Sequence, residues 1–371
     1  MERRPRIHIV GAGIAGAASA WHLAKRGALV HLWEAADAPD AHSSGRNAAI
    51  LRTAIPHAHL HALAAESVAF YRNPSSDFCS TPLIQPHGLV LAAAEGKEAD
   101  AQELWLQDSS CSPPSRELSA QEFSTLLPYV ASKGLRGWWF QEEGTLDVHA
   151  LHQAFLHGAL AAGAELHLRQ AVTKLHRQGQ VLQGFTLADG TTHHADAVVL
   201  ATGGWGDALL RPLGMQRPLI PHRRHLFVTT PTALVPPTAP VLWILGNQEF
   251  YCRPESGGLL LSACDSEVVA AEDGEQLQAA QRDAAIEAAL ERLPGLADCG
   301  LAHGWAGMRT FRECADFLVG PDPQLPGLHW AAGLGGHGMC TAYAVGRQVA
   351  DGIMHELGES NLVDVPGFAG A

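Results

Sequence analysis

Positive charge is scarce in this chain: 25 Lys and Arg stand against 38 Asp and Glu, for a net charge of −13. Such a chain repels the phosphates of nucleic acids and of anionic lipids, so neither is expected as a partner. No apolar run approaches the roughly 20 residues that span a bilayer. The basic start MERRPRIHIV runs straight into a strand pattern, with no apolar leader behind it, so no signal peptide is expected. The seven cysteines are odd in number, scattered and never spaced C-x-x-C. That predicts reduced thiols and a cytoplasmic protein, not a disulfide framework. Cys252, Cys264, Cys299, Cys314 and Cys340 read as small core residues. Metal-ligand patterns are thin despite 21 histidines. His57 and His61 stand four apart, a spacing that chelates zinc on a helix, yet no cysteine or carboxylate partner is suitably placed. They read as a solvated helix start, and His193 and His194 as solvated hairpin residues. No metal site is expected.

What is present is a compact composition of 371 residues, 47% hydrophobic and 17% charged, enough for about two domains with a large core. It begins with IHIVGAGIAGAASAWHLAKRG. Ile7–Val10 is short and apolar, as a buried parallel strand is. Apolar residues at helical spacing then run from Ile14 to Arg26 and stop at Gly27. ALVHLWEA gives a second strand ending at Glu34, 18 positions after Gly16. Strand, glycine turn, helix and acid in this order cradle a dinucleotide, the acid accepting from a ribose hydroxyl and disfavouring a 2′-phosphate. The motif alone does not separate NAD from FAD.

Downstream, HSSGRNAAILR carries Ser44, Arg46 and Asn47, donors suited to phosphate oxygens. HALAAESVAFYRN is an amphipathic helix. From about Thr81 to Gly144 the texture changes. GLVLAAA reads as a strand, GKEADAQELWLQ as a helix, SSCSPPSRELS as a loop and RGWWFQEEGTLD as strand. A helix follows in DVHALHQAFLHGALAAG with Asp147 as its N-cap. AELHL, AVTKLHR and VLQGFTL are short strands, and AVVLATGGWGDALL is a buried strand entering a glycine turn and a helix. Residues 218–308 form a second strand-rich block with a helix near Glu275–Leu293. FLVGP, GLHWAAGLGGHGM and a helix from Cys340 to Leu357 finish the chain. The expected domains are therefore discontinuous: 1–80, 145–215 and 315–371 in one, 81–144 and 216–314 in the other.

The stretches GAGIAG with Glu34, SSGRNAAILR, VVLATGGWGD, FYCRP, WAGMRTF and AGLGGHGM, in this order over nearly the whole chain, resemble the amino-acid-oxidase family of FAD enzymes. That family includes glycine oxidase, sarcosine oxidase and D-amino acid oxidase. HSSGRNAA, FCSTPLIQP, PHRRH and FLVG look most like D-arginine dehydrogenase. The resemblance implies an α/β (α+β) fold. A glutathione-reductase-type, Rossmann-like FAD-binding domain would carry a second, mostly antiparallel-sheet substrate domain. It implies non-covalent FAD along Gly11, Gly13, Ile14, Ala15, Gly16, Glu34, Ala35, Ser43, Ser44, Arg46, Asn47, Ala48, Ala49, Val172, Ala201, Thr202, Gly203, Trp205, Gly307, Arg309, Gly333, Gly335, Gly336, His337, Gly338 and Met339. The helix after GLGGHGM would point at the flavin's N1–C2=O edge and favour its reduced, anionic form.

For the substrate, the resemblance assigns Arg309 and Tyr251 to an amino-acid carboxylate, whose two oxygens suit a guanidinium fork. Arg52 matches a carboxylate-binding arginine of sarcosine oxidase, Arg224 a pocket arginine of D-arginine dehydrogenase, and His337 a histidine beside the flavin. The departures are informative. His87 or Gly88 stands where D-arginine dehydrogenase has an acid for its cationic substrate, and Ile50 and Ile55 replace its pocket histidine and tyrosine. Gly307 replaces the cysteine that links flavin in sarcosine oxidase, and Cys340 a carboxylate-binding lysine. The expected reaction is oxidation of the C–N bond of a small D-amino acid or N-substituted glycine, by hydride transfer to flavin N5. The alternatives are an FAD-dependent 2-hydroxy acid dehydrogenase, a non-catalytic flavoprotein assembly factor and an NAD dehydrogenase. The electron acceptor, whether oxygen, a quinone or a protein, stays open.

Overall fold

The computed structural model describes residues 4–109, 115–314 and 316–358. Its first sheet has six strands in the order Leu318–Pro321, Leu328–Ala332, Ala197–Leu200, Arg6–Val10, Leu29–Trp33 and Glu165–His167. All pairs are parallel except the first. The two central apolar runs, Ala197–Leu200 and Leu328–Ala332, are buried along their whole length, as parallel strands covered on both faces must be. Helices Ile14–Lys25, Ala58–Arg72, Val148–Ala161 and Gly338–Glu356 pack together on one face. The other face packs Val10, Trp33 and Leu200 against Leu175, Leu182 and Phe185 of a three-stranded antiparallel sheet. Asp147 caps its helix as expected, accepting from Ala150 N–H at 2.9 Å. Among the described residues no helix is long and apolar enough to cross a membrane.

The second large sheet has nine strands and is mostly antiparallel. Its long hairpin-like pair, Ile220–Thr229 against Leu301–Phe311, runs in register from Ile220↔Phe311 to Val228↔His303. Alternation sorts its side chains. Val90, Phe227, Leu242, Ile244, Phe250 and Leu261 fill one core, while Leu91, Leu226, Trp243 and Tyr251 face the opposite way. A small sheet of Ile50–Leu51, Gly144–Leu146 and Ile84–Gln85 lies between.

Several local expectations change. Ser115–Leu118 is a strand, not loop, because it pairs with Arg136–Phe140; residues 110–114 of that stretch lie outside the described residues. The helix expected near Glu275–Leu293 is Ala279–Arg292. Cys314 is exposed and Cys264 and Cys299 are half-buried, whereas Cys252 and Cys340 are core residues as expected. His61 is buried and bonds the Thr53 carbonyl through Nδ1 at 2.9 Å, so it is no solvated partner of His57. His193 is half-buried, its ring 4.5 Å from that of Trp33. The fold also gathers His31, Glu165 and His167 at one sheet edge, with donor atoms 3.3 to 3.6 Å apart. Sequence spacing does not reveal that trio, because it forms only by pairing strands more than 130 residues apart.

Buried histidines, His8 and His22 among them, contribute to the acid sensitivity of this fold. His8 Nδ1 accepts the Trp33 indole N–H at 2.9 Å, so its proton sits on Nε2, facing the His194 carbonyl at 3.1 Å. Burial, followed by repulsion from His31, pushes its pKa down to about 3. His22 is likewise lowered to about 3, by burial and then Arg26. The unfolded chain protonates both near pH 6.5 while the fold does not, so stability falls as pH drops from about 6.5 toward 3. Each contributes a slope of about 1.4 kcal/mol per pH unit. Urea denaturation at pH 7 and pH 5 tests this: the midpoint should fall on acidification, and His8→Asn should flatten the dependence.

Candidate functional site

The glycine turn after Arg6–Val10 is set by close approach. Gly11 has φ +98°, and a Cβ there would lie 2.5 Å from the Ala201 carbonyl oxygen. A Cβ on Gly16 would lie 2.0 Å from the Gly11 carbonyl oxygen, so the helix can sit against the strand end only with glycine there. Glu34 is buried and braces the turn: Oε2 accepts from Ala12 N–H and Oε1 from Ala36 N–H, both at 2.9 Å. Each oxygen keeps a second lone pair for a ribose hydroxyl. Ala35 is exposed and Val172 half-buried, and Gln170 N–H to Glu34 C=O at 2.8 Å ties their segments together. His152 bonds the Ala12 carbonyl at 2.9 Å, a brace that arrives from a helix 140 residues away and has no sequence signature.

The segment 43–49 folds over the helix N-terminus. Ser44 Oγ accepts from Ile14 N–H at 2.9 Å, one of the free donors at that end. Asn47 donates from Nδ2 to the Ser44 carbonyl at 2.6 Å and accepts from Ala49 N–H at 2.8 Å, holding Ala49 at φ +52°. Arg46 lines the cavity while its Nε is tied to an acid from a distant segment. Its Nε is 3.1 Å from Glu275 Oε2, and Glu275 also meets His42 at 2.9 Å. Trp205 packs tilted against His42, ring centroids 4.7 Å apart. Thr202 carries a buried hydroxyl with no hydrogen-bond partner among the described residues.

One cavity runs from Gly13, Ile14 and Ala15 past Ser43, Ser44 and Arg46 to Ala49, along Ala201 and Gly203, and on to Gly333 and Gly335 to Met339. Gly333, Gly335 and Gly336 all have positive φ, of 67°, 53° and 87°, and this turn opens the helix Gly338–Glu356. The cavity ends against the second sheet, where Arg224, Leu226, Trp243, Tyr251, Gly307 and Arg309 line it together with Arg52. The register explains the grouping. His222 pairs with Arg309 and Arg224 with Gly307, so both arginines leave the same face as Leu226 and, through Ser262, Tyr251. A Cβ on Gly307 would lie 2.4 Å from the Arg46 carbonyl oxygen, and one on Gly336 would lie 2.8 Å from Arg309 Nε. Glycines there let backbone, strap and guanidinium meet.

Electrostatics at this end are cationic. Burial lowers the pKa of Arg309, with Arg224 adding repulsion. Burial also lowers that of Arg52, with Glu249 and Glu143 opposing. The Arg52 guanidinium sits over Trp243, 4.4 Å from the ring centroid, and donates to the Ala54 carbonyl at 2.9 Å. Trp243 in turn packs tilted against Tyr251, ring centroids 4.8 Å apart. Burial raises the Tyr251 phenol, so it stays protonated. His337 is lowered to about 3 by burial and then by Arg52 and Arg309, which leaves a neutral imidazole at physiological pH.

The structure thus brings together all five sequence-selected substrate residues. Gly11, Gly16, Glu34, Ala35, Val172, Thr202 and Trp205 do not line the cavity; they shape or extend it. Sequence reasoning missed Leu226, Trp243, Met308, Thr310 and Leu334, which do line it. Only strand alternation from Arg224 and Arg309 pointed to Leu226. The turn, the bare edge at Ala201 and Gly203 and the run of positive-φ glycines fit an extended dinucleotide such as FAD.

A family profile described as DAO, FAD dependent oxidoreductase, matches residues 6–352. The chain is 25% identical over 365 residues to glycine oxidase of Bacillus licheniformis, covering 95% of this chain and 94% of that one. It is 26% identical to 4-methylaminobutanoate oxidase (formaldehyde-forming) of Paenarthrobacter nicotinovorans, over 98% of this chain and 46% of that protein. The chain therefore spans about half the length of that relative. The solved glycine oxidase of Geobacillus kaustophilus superposes with a TM-score of 0.81 at 23% identity, over 95% of each chain. Fold, cavity and profile together place this chain in the DAO family of FAD-dependent oxidoreductases.

Proposed function

We propose that this chain oxidises the C–N bond of a small D-amino acid or N-substituted glycine. The observation that carries this is the convergence of Arg309, Arg224, Arg52 and Tyr251 on one wall, facing the Gly333–Met339 turn of the cofactor cavity. Relatives named for amine substrates, glycine oxidase and 4-methylaminobutanoate oxidase, support it. In this reading segments 1–80, 145–215 and 315–371 hold FAD, and 81–144 and 216–314 form the substrate wall. Non-covalent binding is supported at position 307, where the lack of room for a Cβ leaves no place for a linking cysteine.

FAD, when bound, supplies the hydride acceptor for the two electrons and hydrogen leaving the substrate Cα. The chain's own groups do the rest. Arg309 forks onto the carboxylate with the Tyr251 hydroxyl beside it, which fixes the face of Cα turned toward the cofactor. The amine binds in its neutral form, with the nitrogen lone pair that forms the C=N bond free, and neutral His337 orients it, since burial beside Arg52 and Arg309 disfavours a second ammonium-type charge there. Leu226, Trp243, Met308 and Leu334 keep water from the reacting carbon. Water then adds to the released imine, giving a 2-oxo acid and ammonia or a primary amine. Incubation with D-amino acids, N-methyl amino acids and 2-hydroxy acids, with a dye as electron acceptor, tests the reading. Nitrogen release with 2-oxo acid is expected. Formation of 2-oxo acid from hydroxy acids alone would replace it with the hydroxy acid reading.

A further inference from the structure

The substrate end of the cavity is lined by three guanidiniums, Arg52, Arg224 and Arg309, and, among the described residues, by no Asp or Glu. Arg52 and Arg224 are more than nine-tenths buried. Arg224 Nε and Nη1 have no hydrogen-bond partner among the described residues. The acids nearby do not cancel this charge. Glu143 is buried and accepts from Thr53 N–H and Oγ1 at 2.6 and 2.5 Å; Glu249, the stronger influence on Arg52, is exposed to water, which screens it. Three guanidiniums against one buried and one screened carboxylate leave a positive excess, a costly state unless a ligand supplies anions. A zwitterionic amino acid brings none, and a monocarboxylate with a neutral amine brings one.

The cations are also split between two places. Arg309 and Arg224 stand on neighbouring strands as diagonal neighbours. Arg52 comes from outside this sheet, just after the short strand Ile50–Leu51, and lies over Trp243, whose strand is four steps along the sheet from that of Arg309. His337 lies under the influence of both ends, since Arg52 and Arg309 each lower its pKa.

We propose that the preferred substrate carries two carboxylates, one held by Arg309 and Arg224 and the second by Arg52 on its Trp243 platform. The class is a dicarboxylic amino acid, with the second carboxylate on the side chain or on the amine nitrogen. This rests on the amine-oxidising reading. It also explains the absence of an acid at His87 and Gly88, since no cationic side chain needs a partner.

The test uses the flavin-loaded protein under anaerobic conditions. Iminodiacetate, D-aspartate and D-glutamate are compared with glycine, sarcosine and D-alanine for flavin bleaching. At least about a tenfold advantage in kcat/KM is expected for the best dicarboxylate, the size of one added charge-assisted contact. Arg52→Met should reduce the dicarboxylate-to-monocarboxylate ratio by a similar factor, and Arg52→Lys should restore part of it. Calorimetry with succinate and butyrate, which carry no amine, measures the anion site apart from turnover, and succinate should bind at least about tenfold tighter. Equal bleaching by mono- and dicarboxylates, with equal succinate and butyrate affinity, would overturn the second carboxylate while leaving amine oxidation intact. Tight, Arg52-dependent succinate binding with no amine bleaching the flavin would support the dianion site and overturn amine oxidation.

Discussion

Gly11→Ala is expected to purify as colourless protein, folded but unable to hold FAD. The new methyl would sit 2.5 Å from the Ala201 carbonyl oxygen at a backbone φ of +98°. Left-handed strain costs about 1–2 kcal/mol, and the clash adds to it by parting two adjacent strand ends. Those ends carry both cofactor turns, Gly11–Gly16 and Ala201–Gly203, and the first of them is also held by the Ala12 N–H to Glu34 bond on its other side. FAD affinity should fall by about a hundredfold or more, since roughly 3 kcal/mol is lost where the pyrophosphate meets the helix. Gly27→Ala is the matched control. Its φ is +86°, but nothing lies within 4 Å of the added methyl. It should lower stability by about 1 kcal/mol and keep its flavin. Visible flavin absorbance per protein, read for both variants, decides the matter.

The second large effect is at Arg309. Arg309→Ala should keep FAD and its spectrum but lose about 30- to 3,000-fold in kcat/KM, the range for removing one side of a buried charge pair of about 2–5 kcal/mol. The loss should appear mainly in KM, because the carboxylate contact already forms in the ground state. Arg309→Lys should recover little, since a point charge does not reproduce the fork. Removing one repelling cation would also let the His337 pKa rise from about 3, so a low-pH limb should emerge in the rate profile. A full rate with intact KM in Arg309→Ala would remove this residue from the substrate site.

The cofactor end was largely legible because its chemistry is local. Gly11, Gly13, Gly16 and Glu34 fall within one strand–helix–strand unit, and backbone geometry forces their spacing. Asp147 was legible for the same reason. The Glu275 partner of Arg46 was not legible, because it comes from a segment over 200 residues away, and an arginine in a polar loop looks the same with or without that partner. Ser44 Oγ accepts from Ile14 N–H at the helix N-terminus, a bond the sequence does not show, and keeps its own O–H to donate. The substrate wall was legible residue by residue but not as a set. The register that puts Arg224, Leu226 and Arg309 on one face is a pairing of strands about 80 residues apart, and Trp243 under Arg52 follows from the order of five strands. Tertiary pairing also took His61 and His193 out of solvent and made Ser115–Leu118 a strand. Periodicity carries none of that information.

The central claim is that the cationic wall presents an amine-bearing carbon to bound FAD. Anaerobic mixing of the flavin-loaded protein with D-aspartate and with D-malate, which differ only in amine against hydroxyl, tests it most directly. Bleaching by the amino acid, with 2-oxo acid and ammonia recovered in equal amounts and the flavin unchanged by the hydroxy acid, is the predicted result. Bleaching by D-malate with none by D-aspartate or any other amine would contradict it.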